Sequence, residues 1–257
     1  MPPVTRAIIL AAGKGGRLYP ETADKPKALL EIGSESILEF QVRMLKALGV
    51  AQITVVTGYK VERVHEKMGN AVQYAHNALY AETNSLYSLF TAFKAVCDGC
   101  LILNADVLFD PAMVRTLLHH PAPDALLVDF RPGLGDEEMK VITRNGIVAE
   151  ISKQIDPARA EGENVGIIKV SGDGAKDMFG VAEACAQKGE WNLWTPHGVA
   201  ALIGRRDFVA ISTDGFPWIE IDYPYDLEQA RAEVYPRITE RVNATFEVPD
   251  SRRDSAA

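Results

Sequence analysis

Small residues, three glycines and two cations, close together in sequence, give this chain its most evident chemistry. Leu10-Ala11-Ala12-Gly13-Lys14-Gly15-Gly16-Arg17-Leu18 is followed by Lys25-Pro26-Lys27-Ala28-Leu29. The apolar run 7–10 reads as a buried strand. It opens into residues whose backbone can approach a ligand closely. Exposed N–H groups with Arg17 and Lys27 beside them suit a triphosphate: amides cradle oxygens and cations offset charge. A dinucleotide fingerprint does not fit, because its third glycine would fall on Leu18. No Walker A sequence occurs. A ligand-free turn would explain the glycines but not the two cations.

Two carboxylates follow apolar runs. Asp106 comes after Leu101-Ile102-Leu103-Asn104-Ala105, and Asp222 after Trp218-Ile219-Glu220-Ile221. At strand ends they could converge on one Mg²⁺, which takes hard oxygen ligands, keeps waters and shares phosphate oxygens. Either alone could also be a turn residue. Glu220, two residues before Asp222, could support it. In Tyr80-Ala81-Glu82-Thr83-Asn84-Ser85-Leu86-Tyr87-Ser88, Asn84 and Ser88 lie one helical turn apart. An amide can read a base edge, yet Thr83 or Asn84 is equally suited to cap the helix. Lys140 and Lys153 flank a hairpin signal and could hold an incoming phosphate, or be solvated lysines.

The elements that must position these groups alternate. Strand-like runs at 7–10, 53–57, 71–74, 100–103 and 125–128 alternate with helical patterns at 36–48, 84–96 and 111–118. That order implies an α/β fold: a doubly wound, mostly parallel sheet with ligands at the carboxyl ends of its strands. The second half reads as a hairpin, 140–143 and 147–151, around Arg144-Asn145-Gly146, then a polar loop at 155–163 and a strand at 165–170. Helices follow at 175–188 and 195–203, short strands at 208–212 and 218–221, and a closing helix at 225–235. Residues 1–248 are expected to form one domain, with a first half to about 130 that carries the glycine loop and a second half after it. Residues 249–257 read as a frayed polar tail.

The 257 residues are 47% hydrophobic and 24% charged, ordinary for a globular chain. A net charge of -8 argues against general nucleic-acid affinity, so an anionic substrate needs a local basic site. No apolar stretch reaches membrane-spanning length, and the start leads almost directly into a strand, leaving no room for a signal peptide. Three cysteines fit a reducing cytoplasm, and Cys97-x-x-Cys100 reads as a helix-to-strand connection. His119 and His120 suit a helix end, while His76 has no motif to support a role.

L-A-A-G-x-G-x-R-L followed by P-K resembles the signature of nucleotidyltransferases that activate phosphorylated sugars and alcohols. The resemblance implies a Rossmann-like nucleotidyltransferase fold with a small β-rich acceptor-binding insertion, the half to about 130 binding the nucleotide and the half from about 131 to 248 binding the acceptor and closing the fold. It implies triphosphate binding through Leu10, Ala11, Ala12, Gly13, Gly15, Gly16 and Ala105, with Arg17 and Lys27 catalytic and Mg²⁺ on Asp106 and Asp222. N-x-x-Y-S-L at Asn84 resembles the branch that transfers cytidylyl groups from CTP to phosphocholine, aminoethylphosphonate or inositol phosphate. It implies that Asn84 and Ser88 meet the cytosine or ribose, and a part in making cell-surface polymer or lipid precursors. Glu163-Asn164-Val165-Gly166-Ile167 resembles a segment beside the acceptor pocket. There Glu163 could meet an ammonium and Gly166 permit close approach, with Lys140 and Lys153 on the acceptor phosphate. Asn104-Ala105-Asp106 departs from the family's D-A-D by one carboxylate. The rival expectations are a hexose-1-phosphate enzyme using UTP, dTTP or GTP, and an inactive nucleotide-binding regulatory module.

Overall fold

In the computed structural model, which describes residues 4–93 and 99–245, the apolar runs stack as β1 (Arg6–Ala11), β2 (Gln52–Thr57), β3 (Gln73–His76) and β4 (Gly99–Asn104). They lie in the order β3-β2-β1-β4, all parallel. Between them run α1 (Ile37–Ala47), α2 (Val61–Met68) and α3 (Ser85–Ala92). α1 starts where Ser36 and Glu39 form a reciprocal capping box, and it buries Ile37, Phe40, Met44 and Leu45. Strand parity divides the core. Ile9, Val55, Leu101 and Leu103 point into one layer, and Ile8, Val56, Cys100 and Ile102 into the other. Both faces of the sheet are therefore covered, as a doubly wound sheet requires.

A short strand, β5 (Val107–Phe109), leads into α4 (Pro111–His119) and β6 (Ala125–Asp129). The hairpin is β7 (Lys140–Arg144) with β8 (Ile147–Ser152), and Asn145 and Gly146 form its turn with positive φ. Next come β9 (Gly162–Ser171), α5 (Gly172–Gln187), α6 (Thr195–Leu202), β10 (Val209–Ser212), β11 (Trp218–Glu220), α7 (Pro224–Gln229) and α8 (Tyr235–Thr245). The main sheet has nine strands, β3-β2-β1-β4-β9-β6-β10-β8-β7. β9 runs antiparallel to β4 and β6, while β6 and β10 are parallel. The β-rich region expected in the second half is the β7–β8 hairpin, and it joins this sheet through β9 and β10.

Several boundaries differ from the sequence reading. β3 starts two residues later than 71, because the turn after α2 takes up the start of that apolar run. β9 begins at Gly162, inside the stretch read as a polar loop; there Glu163 and Asn164 are buried by cross-strand pairing. The closing helix does not stop at Pro236. A π turn, Ala230–Val234, in which Tyr235 N–H donates to Ala230 O, lies just before the proline and joins α7 to α8. α2 and β5 were not foreseen. Cys97, the end of the 84–96 helical pattern and the 249–257 tail lie outside the described residues, so Cys97-x-x-Cys100 is not placed; Cys100 is buried in β4.

Candidate active site

The turn after β1 delivers the first cation. Leu18 is fully buried and anchors a 3-10 turn, Gly16–Leu18, leaving neighbouring Arg17 half-exposed. Gly15 has φ +68°, and a Cβ there would lie 2.7 Å from Lys27 Cβ. The glycine therefore admits the lysine stem that comes from the next 3-10 turn, Lys27–Leu29. Two cations distant in the linear motif reach one place for this reason.

The carboxylates converge through a second sheet. β5 and β11 pair antiparallel, with Glu220 opposite Val107. Ile221 N–H donates to Asp106 O at 3.0 Å. Asp106, just before β5, and Asp222, just after β11, thereby meet at one end of this ribbon. Gln41, buried on α1, donates through Nε2 to Asn104 O and Val107 O at 2.9 and 2.8 Å, fixing the turn that carries Asp106. Sequence reading missed Gln41; a buried amide inside an otherwise apolar helix face was the available signal.

Lys27 Nζ donates to Asp106 Oδ2 at 2.8 Å and to Asp222 Oδ1 at 2.5 Å. Burial works against its charge, but the two carboxylates outweigh it and raise its pKa. Burial would also raise Asp222; Lys27 and Arg17 reverse this and hold it below the ordinary carboxylate value. At Glu220 the Lys27 charge is outweighed. Burial, then the charges of Asp106 and Asp222, push it up to about 8. Oxygens of Asp106, Glu220 and Asp222 lie within 4.8 Å of one another. Asp106 Oδ1 is buried with no hydrogen-bond partner among the described residues. An unsatisfied carboxylate oxygen in an all-oxygen cluster fits a hard divalent cation.

A cleft of about 340 Å³ runs from this cluster. Leu10, Ala12, Gly13, Arg17, Asn84, Ser88, Asp106 and Lys153 line it, as does Asp222. A neighbouring recess of about 160 Å³ is lined by Leu10, Ala11, Gly13, Gly15, Lys27 and Ala105. Gly16 lines neither. Asn84 caps α3: its Oδ1 accepts from Ser85 N–H at 2.8 Å and its Nδ2 donates to Asn192 Oδ1 at 3.1 Å. Ser88 Oγ accepts from Asn77 Nδ2 at 3.0 Å. Asn77, fully buried and also donating to Thr83, went unnoticed in the sequence because no motif contains it.

Of the residues expected to meet the acceptor, Lys140 and Glu163 do not reach the cleft. Lys140 is completely buried, and its ammonium donates to Gly135 O and Glu138 O at 2.7 and 3.3 Å. Glu163 is buried against Arg131, which donates to it at 2.6 Å. Neither lines the cleft; their sequence neighbours Met139 and Asn164 do. Side chains alternate along a strand, so a one-residue error in parity sends a group to the opposite face. Gly166, with φ +82°, does allow close approach, but to Asn104: a Cβ would lie 2.6 Å from Asn104 Nδ2. Lys153 does line the cleft, its ammonium 5.3 Å from the centroid of Trp194. Glu137 bridges Arg17 at 3.6 Å and Lys153 at 3.8 Å. Trp194, Tyr80 and Glu137 also line the walls; of these, Glu137 had no motif to single it out.

Residues 7–161 match the family described as MobA-like NTP transferase domain. The chain belongs to this family. It is a nucleotidyltransferase. The CTP:phosphoglutamine cytidylyltransferase of Campylobacter jejuni is 29% identical over 249 residues, 86% of this chain and 97% of that protein. The bifunctional protein GlmU of Methanococcus maripaludis is 24% identical over 241 residues, covering 94% of this chain and 57% of that protein. The CTP:phosphocholine cytidylyltransferase structure from Streptococcus pneumoniae matches with TM-score 0.75 and 25% identity, covering 88% of this chain and 97% of that one. The inositol-1-phosphate CTP transferase of T. maritima shares the fold, with TM-score 0.78 at 21% identity over 95% of this chain. Among the described residues, no helix is long and apolar enough to cross a membrane.

Proposed function

We propose that this nucleotidyltransferase moves a cytidylyl group from CTP to a small phosphorylated alcohol or phosphonate. An acceptor oxygen forms a bond to the α-phosphorus, the bond from that phosphorus to the bridging oxygen breaks, and pyrophosphate leaves with its electron pair. The nucleophile is ionised at neutral pH and needs no general base, so positioning and charge neutralisation carry the rate. The observation that supports this most is the convergence of Arg17, Asp106, Asp222, Asn84 and Ser88 on one cleft. The cytidylyltransferase names of its relatives favour CTP over other nucleotides.

The backbone at Leu10–Gly13 and the Lys27 ammonium bind phosphate oxygens, while Arg17 opposes charge growing on the leaving pyrophosphate. Asp106 and Asp222, with Glu220 beside them, would hold Mg²⁺, which when bound supplies positive charge at the reacting phosphate. Lys27 spans the same two carboxylates, keeping them close together before any metal arrives. Lys153, and the wall formed by Met139, Asn164 and Trp194, face the acceptor.

Pyrophosphate release with four nucleotides, a panel of phosphorylated amines, polyols and phosphonates, and Mg²⁺ tests this directly. CTP with one small acceptor is expected to turn over fastest. A clear preference for UTP, dTTP or GTP with a hexose 1-phosphate would replace the reading with the hexose one. Asp106→Asn is expected to raise the Mg²⁺ concentration needed for half-maximal rate; wild-type metal dependence in this variant would remove Asp106 from the metal site.

A further inference from the structure

Arg17 makes a contact that phosphate binding alone does not require. Its guanidinium carbon lies 5.1 Å from the centroid of the Tyr223 ring. Tyr223 in turn stacks on Tyr225, with centroids 5.4 Å apart and planes 8° from parallel. Tyr225 is 63% exposed, so its packing goes to Tyr223 and not to the core. The backbone beneath the stack is pinned. Asp226 Oδ2 accepts from the N–H groups of Asp222 at 2.9 Å and Tyr223 at 2.7 Å, at the start of α7. One carboxylate thus fixes the backbone that carries both Asp222 and Tyr223.

A guanidinium has donors around its edge and none on its faces. A carboxylate partner occupies the edge and competes with phosphate for it. An aromatic ring takes a face and leaves the edge free. The ion-pair partners of Arg17, Asp222 at 3.3 Å and Glu137 at 3.6 Å, are of the competing kind. Pairs this exposed hold weakly, and an unheld arginine loses rotamer freedom when it grips a ligand. We propose that Tyr223, backed by Tyr225, is a positioning residue: it holds Arg17 by the guanidinium face so that the N–H edge meets the leaving pyrophosphate. This rests on the phosphate role given to Arg17 under the proposed function.

The test uses the full chain as wild type, Tyr223→Phe, Tyr223→Leu, Arg17→Ala and the Arg17→Ala/Tyr223→Leu double variant. Magnesium pyrophosphate affinity is measured by calorimetry, alongside KM and kcat for CTP, KM for the acceptor, and Tm. Tyr223→Leu is expected to weaken pyrophosphate binding and lower kcat/KM for CTP by roughly three- to fivefold, the scale of an exposed cation–π contact. Acceptor KM and Tm should stay at wild-type values. Tyr223→Phe keeps the ring face and should stay within about twofold of wild type. In the Arg17→Ala background, Tyr223→Leu should add nothing. A silent Tyr223→Leu overturns the proposal, as does an effect that persists without Arg17 or follows a fall in Tm. If Arg17→Ala itself leaves pyrophosphate affinity and turnover intact, the phosphate role of Arg17 fails first. A strong Arg17→Ala effect with a silent Tyr223→Leu removes the positioning role alone.

Discussion

The two sides of the cleft differ in how their residues reach it. On the side proposed for phosphate, groups sit at the limits of strands: the turn after β1, the residue before β5 and the second residue after β11. A strand end has a fixed place in the sheet, so spacing in sequence translates into position in space. On the side proposed for the acceptor, groups sit within or beside β7 and β9, where position depends on which face a side chain takes. Lys140 and Glu163 stand opposite each other across β7 and β9, both turned into the protein. Met139 and Asn164, one residue away, line the cleft. Chain ends can be read from a motif; chain faces require the register.

The largest effect should come from the most buried cation of the phosphate side. Lys27→Met leaves Asp106 and Asp222 without their common partner. Removing a preorganised donor from a developing charge typically costs on the order of 10²- to 10³-fold in kcat. Stability should fall as well, because the half-buried carboxylates lose their neutralising charge. Saturating Mg²⁺ is expected to restore Tm but not turnover. Denaturation and rate measurements with and without the metal check this, and full recovery of rate would make Lys27 a structural placeholder.

Arg17→Ala should come next, at about 2–4 kcal/mol of transition-state stabilisation. Since Arg17 is half-exposed, its loss should leave Tm unchanged. The pair therefore separates two cations that meet at Asp222 from different turns: one is wired into the fold and the other is held at the surface. Near-wild-type rates at saturating CTP would break that distinction.

The acceptor side supplies the contrast. Asn164→Ala should raise acceptor KM by roughly tenfold, the loss of one good hydrogen bond, without a change in CTP KM. Glu163→Gln should leave acceptor KM within about twofold. Lys140→Met should be a stability variant only. It strands the carbonyls of Gly135 and Glu138, a cost of about 1–3 kcal/mol in denaturant unfolding. If Lys140→Met raised acceptor KM at unchanged stability, the parity explanation would be wrong.

How far the sequence could be read follows from the same physics. The alternation of apolar runs and helical patterns anticipated β1, β2, β4, β6 and α1, because burial on both faces leaves continuous apolar strands. The glycines before Arg17 were legible as close backbone approach, though the approaching atom turned out to be the Lys27 stem. β5 is three residues long and indistinguishable from the end of β4, yet it joins Asp106 to Asp222. Gln41, Asn77 and the Tyr223–Tyr225 stack act through contacts far apart in sequence or specific to side-chain geometry, which periodicity does not carry. Asp226, which pins Asp222 and Tyr223, is a first-turn carboxylate of an ordinary kind.

The smallest expected effect concerns base choice, and it tests whether Asn84 belongs to the legible side at all. Asn84 lines the cleft, but both ends of its amide are engaged, one by the α3 cap and one by Asn192. If the amide nonetheless meets the base, Asn84→Ala should erode the kcat/KM ratio of CTP to UTP by several-fold. A site that hydrogen-bonds an exocyclic amine rejects a carbonyl there by leaving polar groups unpaired. If it serves only as a cap, the variant should lose about 0.5–2 kcal/mol of stability while the ratio stays where it was. Ser88→Ala provides the companion measurement, because Ser88 is buried, holds Asn77 and lines the same wall without capping anything. A change of ratio in Ser88→Ala alone would assign base reading to the Asn77–Ser88 pair and leave Asn84 to the helix. A change in both would put the whole α3 start at the base, and the run from Asn84 to Ser88 would be a recognition surface as well as a cap.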